Sequence, residues 1–517
     1  MSATSMSATP AASDRHSSSS GLLFLSTLVA ALGGLLFGFD TAVISGTTEA
    51  LEVQFELSSG ALGFTVATAL VGTILGSISV GRPADAWGRR AILSLTAILF
   101  TVSAIGSALA PEWYSFMLFR FIGGIGVGAA SVVSPMYIAE ISPARLRGRL
   151  VAVTQFNIVL GILLAFFSNY LIAQAGFGET AWRWMFGVET VPAVAFGVLL
   201  WLVPRSPRWL MTKGHDSEAR EVLARLGRDD VERELREIRE SIDLEHHQLE
   251  EPFFGRNYRK PILLAVAIAA FNQLSGINAV LYYAPAIFKM AGAGTDQALL
   301  QAVAVGGTNL LFTMIAMAII DSFGRRRLML IGSLGYILSL GATAGAFYAY
   351  GAEFQAATQA ADALENVEQR IAEPPSEAAS QDGVPLERAT REAEAEARAA
   401  FAAAAEEAQG GSRIVLIGLI AFIASHAFSQ GAVIWVFISE IFPNRVRARG
   451  LALGSFTHWA MAALISWTFP KIAEWSGGHI FAFYALMMFV QLIWVLAVMP
   501  ETKGVPLEEI QKRLGIR

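Results

Sequence analysis

Charged residues are nearly absent from twelve long stretches of this chain and crowded into the segments between them. The stretches run, within a few residues, at 21-46, 60-80, 91-110, 115-139, 150-172, 184-203, 260-290, 299-320, 328-350, 413-439, 450-470 and 480-499. A helix that crosses a bilayer needs about 20 apolar residues, so each stretch reads as one span and the predicted fold class is an all-α membrane protein with twelve transmembrane helices. Composition closes off the alternatives. Of 517 residues 54% are hydrophobic and 16% charged, whereas ordinary globular chains carry about 25% charge, which excludes a soluble, disordered or coiled-coil chain. A formal net charge of -5 argues against a nucleic-acid partner. Without cysteine there are no disulfides and no thiolate metal ligands.

Basic clusters mark alternate loops: Arg82, Arg89 and Arg90; Arg145, Arg147 and Arg149; Arg205, Arg208 and Lys213; Arg325, Arg326 and Arg327; Arg445, Arg447 and Arg449. The positive-inside rule puts these loops and both termini in the cytoplasm. The opposite loops hold Glu49, Glu52, Glu56 and Glu112. Residues 1-20 are polar and Ser-rich and read as a disordered cytoplasmic tail. They are not a signal peptide, because the apolar run behind them exceeds the 7 to 15 residues of a signal core.

Two longer segments interrupt the alternation. Residues 204-259 form a cytoplasmic linker in which Val231, Leu235, Ile238 and Ile242 recur at helical spacing, predicting an amphipathic helix. Residues 351-412 fall between spans nine and ten on the non-cytoplasmic side and predict a helical hairpin rich in Ala and Glu. Thirteen acidic residues and four Arg give this insert a net charge of -9, so the rest of the chain carries +4 within its overall -5. It reads as a solvated decoration.

The chain repeats itself. Asp85-Ala-Trp-Gly-Arg-Arg after span two returns as Asp321-Ser-Phe-Gly-Arg-Arg after span eight, and Ile138-Ala-Glu140-Ile-Ser-Pro-Ala-Arg-Leu-Arg147 returns as Ile438-Ser-Glu440-Ile-Phe-Pro-Asn-Arg-Val-Arg447. The second interval is longer by 64 residues, which the 62-residue insert almost removes. Two pseudo-symmetric six-helix bundles follow, 21-203 and 260-499, with a tail at 500-517. Parallel repeats of this kind are a transporter architecture, with a substrate site near the midplane between the halves. The repeated Asp85, Arg89, Arg90, Glu140 and Arg147, with Asp321, Arg325, Arg326, Glu440 and Arg447, lie at cytoplasmic helix ends, where carboxylate-guanidinium pairs can hold a gate.

Ionisable groups inside spans cost about 2.5 to 3.5 kcal/mol at mid-helix on insertion scales and so mark function. Asp40, Arg120 and Glu189 each lie five or six residues from the outer end of spans one, four and six, roughly 8 Å deep at 1.5 Å per residue. Mutual pairing follows, and a carboxylate with a movable Arg partner can bind and release a proton. The alternative is a static ion pair fixing three helices. Elsewhere the intramembrane polar groups are neutral: Gln155, Asn272, Gln273, Asn278, Asn309, His426 and His458. With the aromatics Phe37, Tyr282, Trp435 and Trp459 they suit a sugar, which offers hydroxyls and a C-H face.

The motifs GFDTAVISG (38-46), GRPADAWGRR (81-90), RFIGGIGVG (120-128), YIAEISPARLRGR (137-149), PRSPRWL (204-210), QLSGINAVLYYAP (273-285), DSFGRR (321-326), WVFISEIFPNRVRARG (435-450) and PETKG (500-504) resemble the sugar porter family of the major facilitator superfamily, in particular its bacterial proton-coupled pentose and hexose symporters. The resemblance implies the major facilitator fold and proton-coupled import of a monosaccharide by alternating access. It implies sugar contacts from Gln155, Gln273, Asn278, Asn309 and Trp435, a cavity lined by Phe37, Tyr282 and Trp459, and Asp40 as the proton-coupling acid with Arg120 as partner and Glu189 assisting. Facilitative members carry Asn at the position of Asp40. A facilitative uniporter stays open as the alternative, and a non-transporting sugar sensor stands behind it.

No cofactor beyond the coupling proton is implied, no metal, and no enzyme chemistry, since neither a nucleotide loop of the GxxxxGK[ST] kind nor an intramembrane nucleophile is present. The expected partners are the sugar and the lipid bilayer around a monomer, in a bacterial inner membrane. Four positions depart from the family pattern: Asn272 stands where close symporters have Gln, His458 where Gln or Asn is usual, Ala432 for the Pro of span ten, and Arg205 for the Glu of PESPR. The first two bear on which sugar is taken. The third bears on the bend of span ten and the fourth on how firmly the inner gate locks. His458 brings either a neutral hydrogen-bonding ring or a second pH-sensitive group.

Overall fold

The computed structural model describes residues 12–228, 230–246, 252–372 and 386–516; within these, the side chains of 12–20, 244–246, Asp321, Gln369, Ala372, 386–390, Asn444, Leu507 and Glu508 lie outside the description. The described residues build twelve spans. Eleven regions are helical, long and apolar enough to cross a membrane. The remaining span, eleven, is the helix Asn444–Trp475, whose middle is diluted by Ser455, Thr457 and His458. The arginine-rich ends of the spans are called inner and the opposite ends outer.

In the N-terminal half, span one is Ala12–Val43 with a final turn Ile44–Gly46, span two Ser59–Ser79, span three Arg89–Leu109, span four Trp113–Ile141 and span five Arg147–Gln174. Span six is broken into Ala181–Gly187 and Thr190–Leu199. In the C-terminal half, span seven is broken into Arg259–Leu274 and Ile277–Met290, followed by span eight, Thr295–Phe323, and span nine, Arg325–Ala349. Span ten joins the end of Leu386–Phe428 to Gln430–Ile441, and span twelve is Gly477–Ala497. The first helix starts at Ala12, inside the segment expected to be a disordered tail. A formed helix propagates past its apolar run at the cost of one residue fixed per bond gained. Residues 1–11 lie outside the described residues.

Glycines set the packing of the N-terminal half. A Cβ on Gly124 would meet the Ala69 carbonyl at 1.9 Å and one on Gly72 the Phe121 carbonyl at 2.3 Å, so spans two and four touch backbone to backbone. Small residues are the membrane's means of close helix approach, because lipid offers no hydrophobic drive between helices. Span seven breaks where Gly276 takes φ 84, a left-handed conformation that a side chain would strain and for which the Tyr484 ring leaves no room. Span ten breaks at Ser429 (φ -115, ψ -92) although it lacks the family's Pro.

The linker contains Pro207–Thr212, Asp216–Arg225 and the amphipathic helix Val231–His246, whose Leu235 is buried against the N-terminal bundle. The insert forms two helices that pack together, Gly351–Ala372 and the outer part of Leu386–Phe428, and its second arm runs without interruption into span ten. Residues 373–385 lie outside the described residues. A short helix Leu507–Leu514 closes the C-terminal end, burying Ile510 and Leu514 beneath the inner ends of the second half.

Candidate functional site

Asp40 and Arg120 meet in the interior of the first half. Arg120 Nη1 donates to Asp40 Oδ1 at 2.5 Å and Nη2 to the Asp40 carbonyl at 3.0 Å, and both side chains are 2% exposed. The guanidinium also lies 5.2 Å from the Phe186 ring centroid. Gly123 makes the approach possible, since a Cβ there would sit 3.2 Å from Asp40 Oδ1. Glu189 is 1% exposed in the break of span six and interacts electrostatically with both Asp40 and Arg120. Neither of its carboxylate oxygens has a hydrogen-bond partner among the described residues. Leaving a buried carboxylate without partners is costly while it is ionised. A cavity of about 10 Å³, room for about one water, runs from Asp40 and Arg120 to Thr73, Tyr282 and Trp459.

Tyr282 and Trp459 belong to the second half, so this cavity joins the ion pair to the polar cluster between the bundles. There Gln273 Nε2 donates to Asn272 Oδ1 at 3.0 Å and lies 3.2 Å from the ring nitrogens of His458. His458 packs between two indoles, Trp435 at 5.4 Å and Trp459 at 4.8 Å between ring centroids, and Trp459 reaches Phe37 of the first half at 5.7 Å. Gln273 Oε1 and Asn278 Nδ2 are buried without a partner among the described residues. Among the described residues, buried Asn309 on span eight has only a long contact from Thr313 Oγ1 at 3.5 Å, and half-buried Gln155 on span five has no hydrogen bond. Unpaired amide atoms beside flat rings fit a ligand with hydroxyls and an apolar face.

His426, expected beside these amides, points elsewhere. Its Nδ1 meets Tyr336 Oη at 3.0 Å, and Tyr336 donates to Gln430 Oε1 at 3.1 Å. Gln430 bonds Gln491, which donates to Ser333 Oγ at 2.9 Å. This network ties spans nine, ten and twelve together beside the Ser429 break. Gln430 and Gln491 were not singled out in the sequence. Lone amides in apolar runs, which rarely stay unpaired in lipid, are the signal that would have found them.

At the inner ends the repeated charges form two matching clusters. Arg89 binds Glu140 Oε1 through Nε at 3.0 Å and Asp85 Oδ1 through Nη1 at 3.0 Å, and Ser206 donates to Glu140 Oε2 at 2.5 Å. In the second half Arg325 donates to Glu440 Oε1 at 2.9 Å and Thr502 to Glu440 Oε2 at 2.6 Å. Arg90 and Arg326 bond carbonyls at the ends of spans six and twelve, Trp201 and Val495 respectively. Arg147 donates to the Ala139 carbonyl at 3.2 Å, and Arg447 Nε is buried with no hydrogen-bond partner among the described residues. The side chain of Asp321 lies outside the described residues. Each of these ion pairs runs within its own half, not between halves.

The halves differ where PRSPR departs from its pattern. Glu501 of PETKG accepts from the backbone N-H groups of Arg325 and Arg326 at 2.9 and 3.1 Å and so caps span nine. Its counterpart Arg205 cannot cap span three and instead meets Glu218 at 3.5 Å with both side chains about half exposed. Arg205→Glu is expected to restore the cap, a gain of about 0.5 to 1 kcal/mol at a helix N-terminus. A raised unfolding midpoint in a thermal melt of the purified protein would show it.

The halves touch at their outer ends. Lys289 Nζ binds Glu49 at 2.6 and 2.8 Å, Ser59 donates to Glu474 at 2.7 Å, and Trp467 Nε1 donates to the Gly60 carbonyl at 3.2 Å. With inner-end pairs kept inside each bundle and outer-end contacts across them, the structure is closed outside. The chain is 35% identical to the xylose transporter XylE from E. coli in a partially occluded inward open conformation, at a TM-score of 0.74, covering 94% of this chain and all of that one. It is 37% identical to the D-xylose-proton symporter of Escherichia coli K12, covering 95% of this chain and 96% of the relative. It is 35% identical to a glucose transport protein of Synechocystis, covering 93% and 95%. A family model described as "Sugar (and other) transporter" matches residues 26–363 and 397–514, leaving out part of the insert. Twelve spans in two matching halves, a polar and aromatic cluster between them and a match along nearly the whole chain lead to one assignment: the chain belongs to the sugar transporter family and has the major facilitator fold.

Proposed function

We propose that the protein imports a pentose or hexose together with a proton by alternating access, as a monomer in a bacterial inner membrane with both termini cytoplasmic. The observation that carries this reading is the buried Asp40-Arg120 pair, with Glu189 unpartnered beside it and a small cavity leading from it to Tyr282 and Trp459. The sugar symporter of Escherichia coli to which the chain is similar is proton-coupled by name. Protonation of Asp40 with the outer side open would release Arg120, for which Glu189 is the waiting counter-ion. Sugar would then bind Gln273, Asn278, Asn309, Gln155 and His458 against Trp435, with Asn272 orienting Gln273 and with Phe37, Tyr282 and Trp459 closing the cavity. Closure outside and separation inside would deliver sugar and proton to the cytoplasm. The inner clusters around Glu140 and Glu440 would hold each bundle's inner end rigid, and when the bundles meet there they supply the gate.

The test is uptake of labelled xylose, glucose, galactose and arabinose into proteoliposomes, with and without an inward proton gradient. Accumulation above equilibrium only with the gradient is the expected result, and equilibration alone would leave a uniporter in which the ion pair is structural. His458 is expected to set the sugar preference. Exchanging its ring for the amide of His458→Gln gains or loses a hydrogen bond worth about 0.5 to 1.5 kcal/mol. The ratio of xylose to glucose uptake rates should change by about two- to tenfold. An unchanged ratio would remove His458 from the sugar contacts.

A further inference from the structure

The insert is docked on the part of the molecule that closes the outer face. Thr358 Oγ1 donates to the Lys289 carbonyl at 3.1 Å, and Ser412 Oγ donates to the Ala291 carbonyl. Ala357 and Ala408, one from each arm, are fully buried against Gly292, where a Cβ would meet them at 3.0 and 3.2 Å. Phe401 covers Gly294. These contacts fasten the hairpin to the outer end of span seven, so the two move together.

Lys289, at that outer end, has a carboxylate on either side. Glu49 of the first half grips it closely, while Glu365 of the insert waits at 3.6 Å and accepts a weak bond from Thr295 Oγ1 at 3.4 Å. The Lys289 side chain is 13% exposed, against 53% for that of Glu49 and 42% for that of Glu365. When the outer face opens, Glu49 leaves with the first half but Glu365 stays, because it is carried by the same docked body as Lys289. We propose that Lys289 is an outer latch that exchanges partners during the cycle, Glu49 when closed and Glu365 when open, and that the insert supplies the open-state partner. This rests on the alternating-access reading above.

The two carboxylates then act in opposite directions. Removing Glu49 weakens the closed state alone, while removing Glu365 weakens the open state more, since the closed state keeps Glu49. Partly exposed ion pairs contribute modestly, so each shift is expected to be about two- to fivefold in population. The chain has no cysteine, so spin labels attach only where cysteines are introduced. Labels at Glu179→Cys and Asp296→Cys, exposed outer positions on the two halves, report the outer distance by electron paramagnetic resonance in full-length protein in proteoliposomes. Glu49→Gln should raise the long-distance population and Glu365→Gln should lower it. Glu368→Gln, whose carboxylate pairs with Arg398 within the insert, should leave it unchanged. Shifts of the same sign in Glu49→Gln and Glu365→Gln, or no shift in Glu365→Gln, would overturn the exchange of partners. A parent with one outer distance at every sugar concentration would overturn alternating access and the latch with it.

Discussion

Proteoliposomes carrying Asp40→Asn are expected to equilibrate labelled sugar and not to concentrate it. A two-unit inward pH gradient lets one proton per sugar support up to about 100-fold accumulation, at 1.36 kcal/mol per unit, and the variant should fall to a ratio of about 1. The amide keeps the shape that Arg120 grips at 2.5 Å but titrates nowhere in the physiological range. Deleting one partner of a buried pair ordinarily costs about 3 to 5 kcal/mol. Here Glu189, buried and unpartnered near the same guanidinium, can take up its charge, so the variant is expected to fold. Exchange of labelled for unlabelled sugar at equal concentrations separates an uncoupled carrier from a dead one. Exchange intact with accumulation lost is the expected pair of results. Accumulation at the parental level would place coupling elsewhere.

The second large effect is expected at Gly63. In the outer-closed structure a Cβ at this position would lie 2.0 Å from the Trp467 carbonyl oxygen and 2.9 Å from its carbon, on span eleven of the other half. Backbone cannot give way as a flexible side chain would, so Gly63→Trp should exclude the outer-closed state. An excess of only about 2.7 kcal/mol against closure corresponds to a 100-fold loss, and transport below about 1% of the parent is expected. Sugar binding from the outer side should persist, measured by isothermal titration of the purified variant. Retained binding with lost transport marks a jammed cycle, whereas loss of both would mark misfolding and leave the outer contact without this role.

Much of this architecture is legible from hydropathy, because lipid demands helices and helices of that length demand apolar residues. Span eleven is the instructive case: Ser455, Thr457 and His458 dilute it, yet the repeat of Glu140 in Glu440 fixes its place in the order. The Asp40-Arg120 pair is readable too, since two opposite charges at one depth in lipid have few other partners. What escapes the sequence is anything set by which bundle a group belongs to. The repeated arginines of the inner ends are evident from motif alone, but whether Arg89 and Arg325 bind across the halves or within them is not, and here they bind within them. The break at Ser429 is hidden because no Pro announces it, and the amides that bond beside it, Gln430 and Gln491, lie 61 residues apart. The insert's composition, acidic and Ala-rich, reads as decoration, since docking depends on Ala357 and Ala408 meeting one glycine rather than on any charged pattern.

The unbroken run of Leu386–Phe428 has a mechanical consequence. At 1.5 Å per residue, its 43 residues make a rod of about 64 Å, far longer than any one span requires. Its outer arm moves with the docked hairpin while its inner end stops at the Ser429 break. A tilt of about 10° around that point would sweep the distant tip through roughly 11 Å for a rod of this length. A rod of this length would act as a pointer, turning a rotation too small to follow at its inner end into a displacement large enough to read outside the membrane.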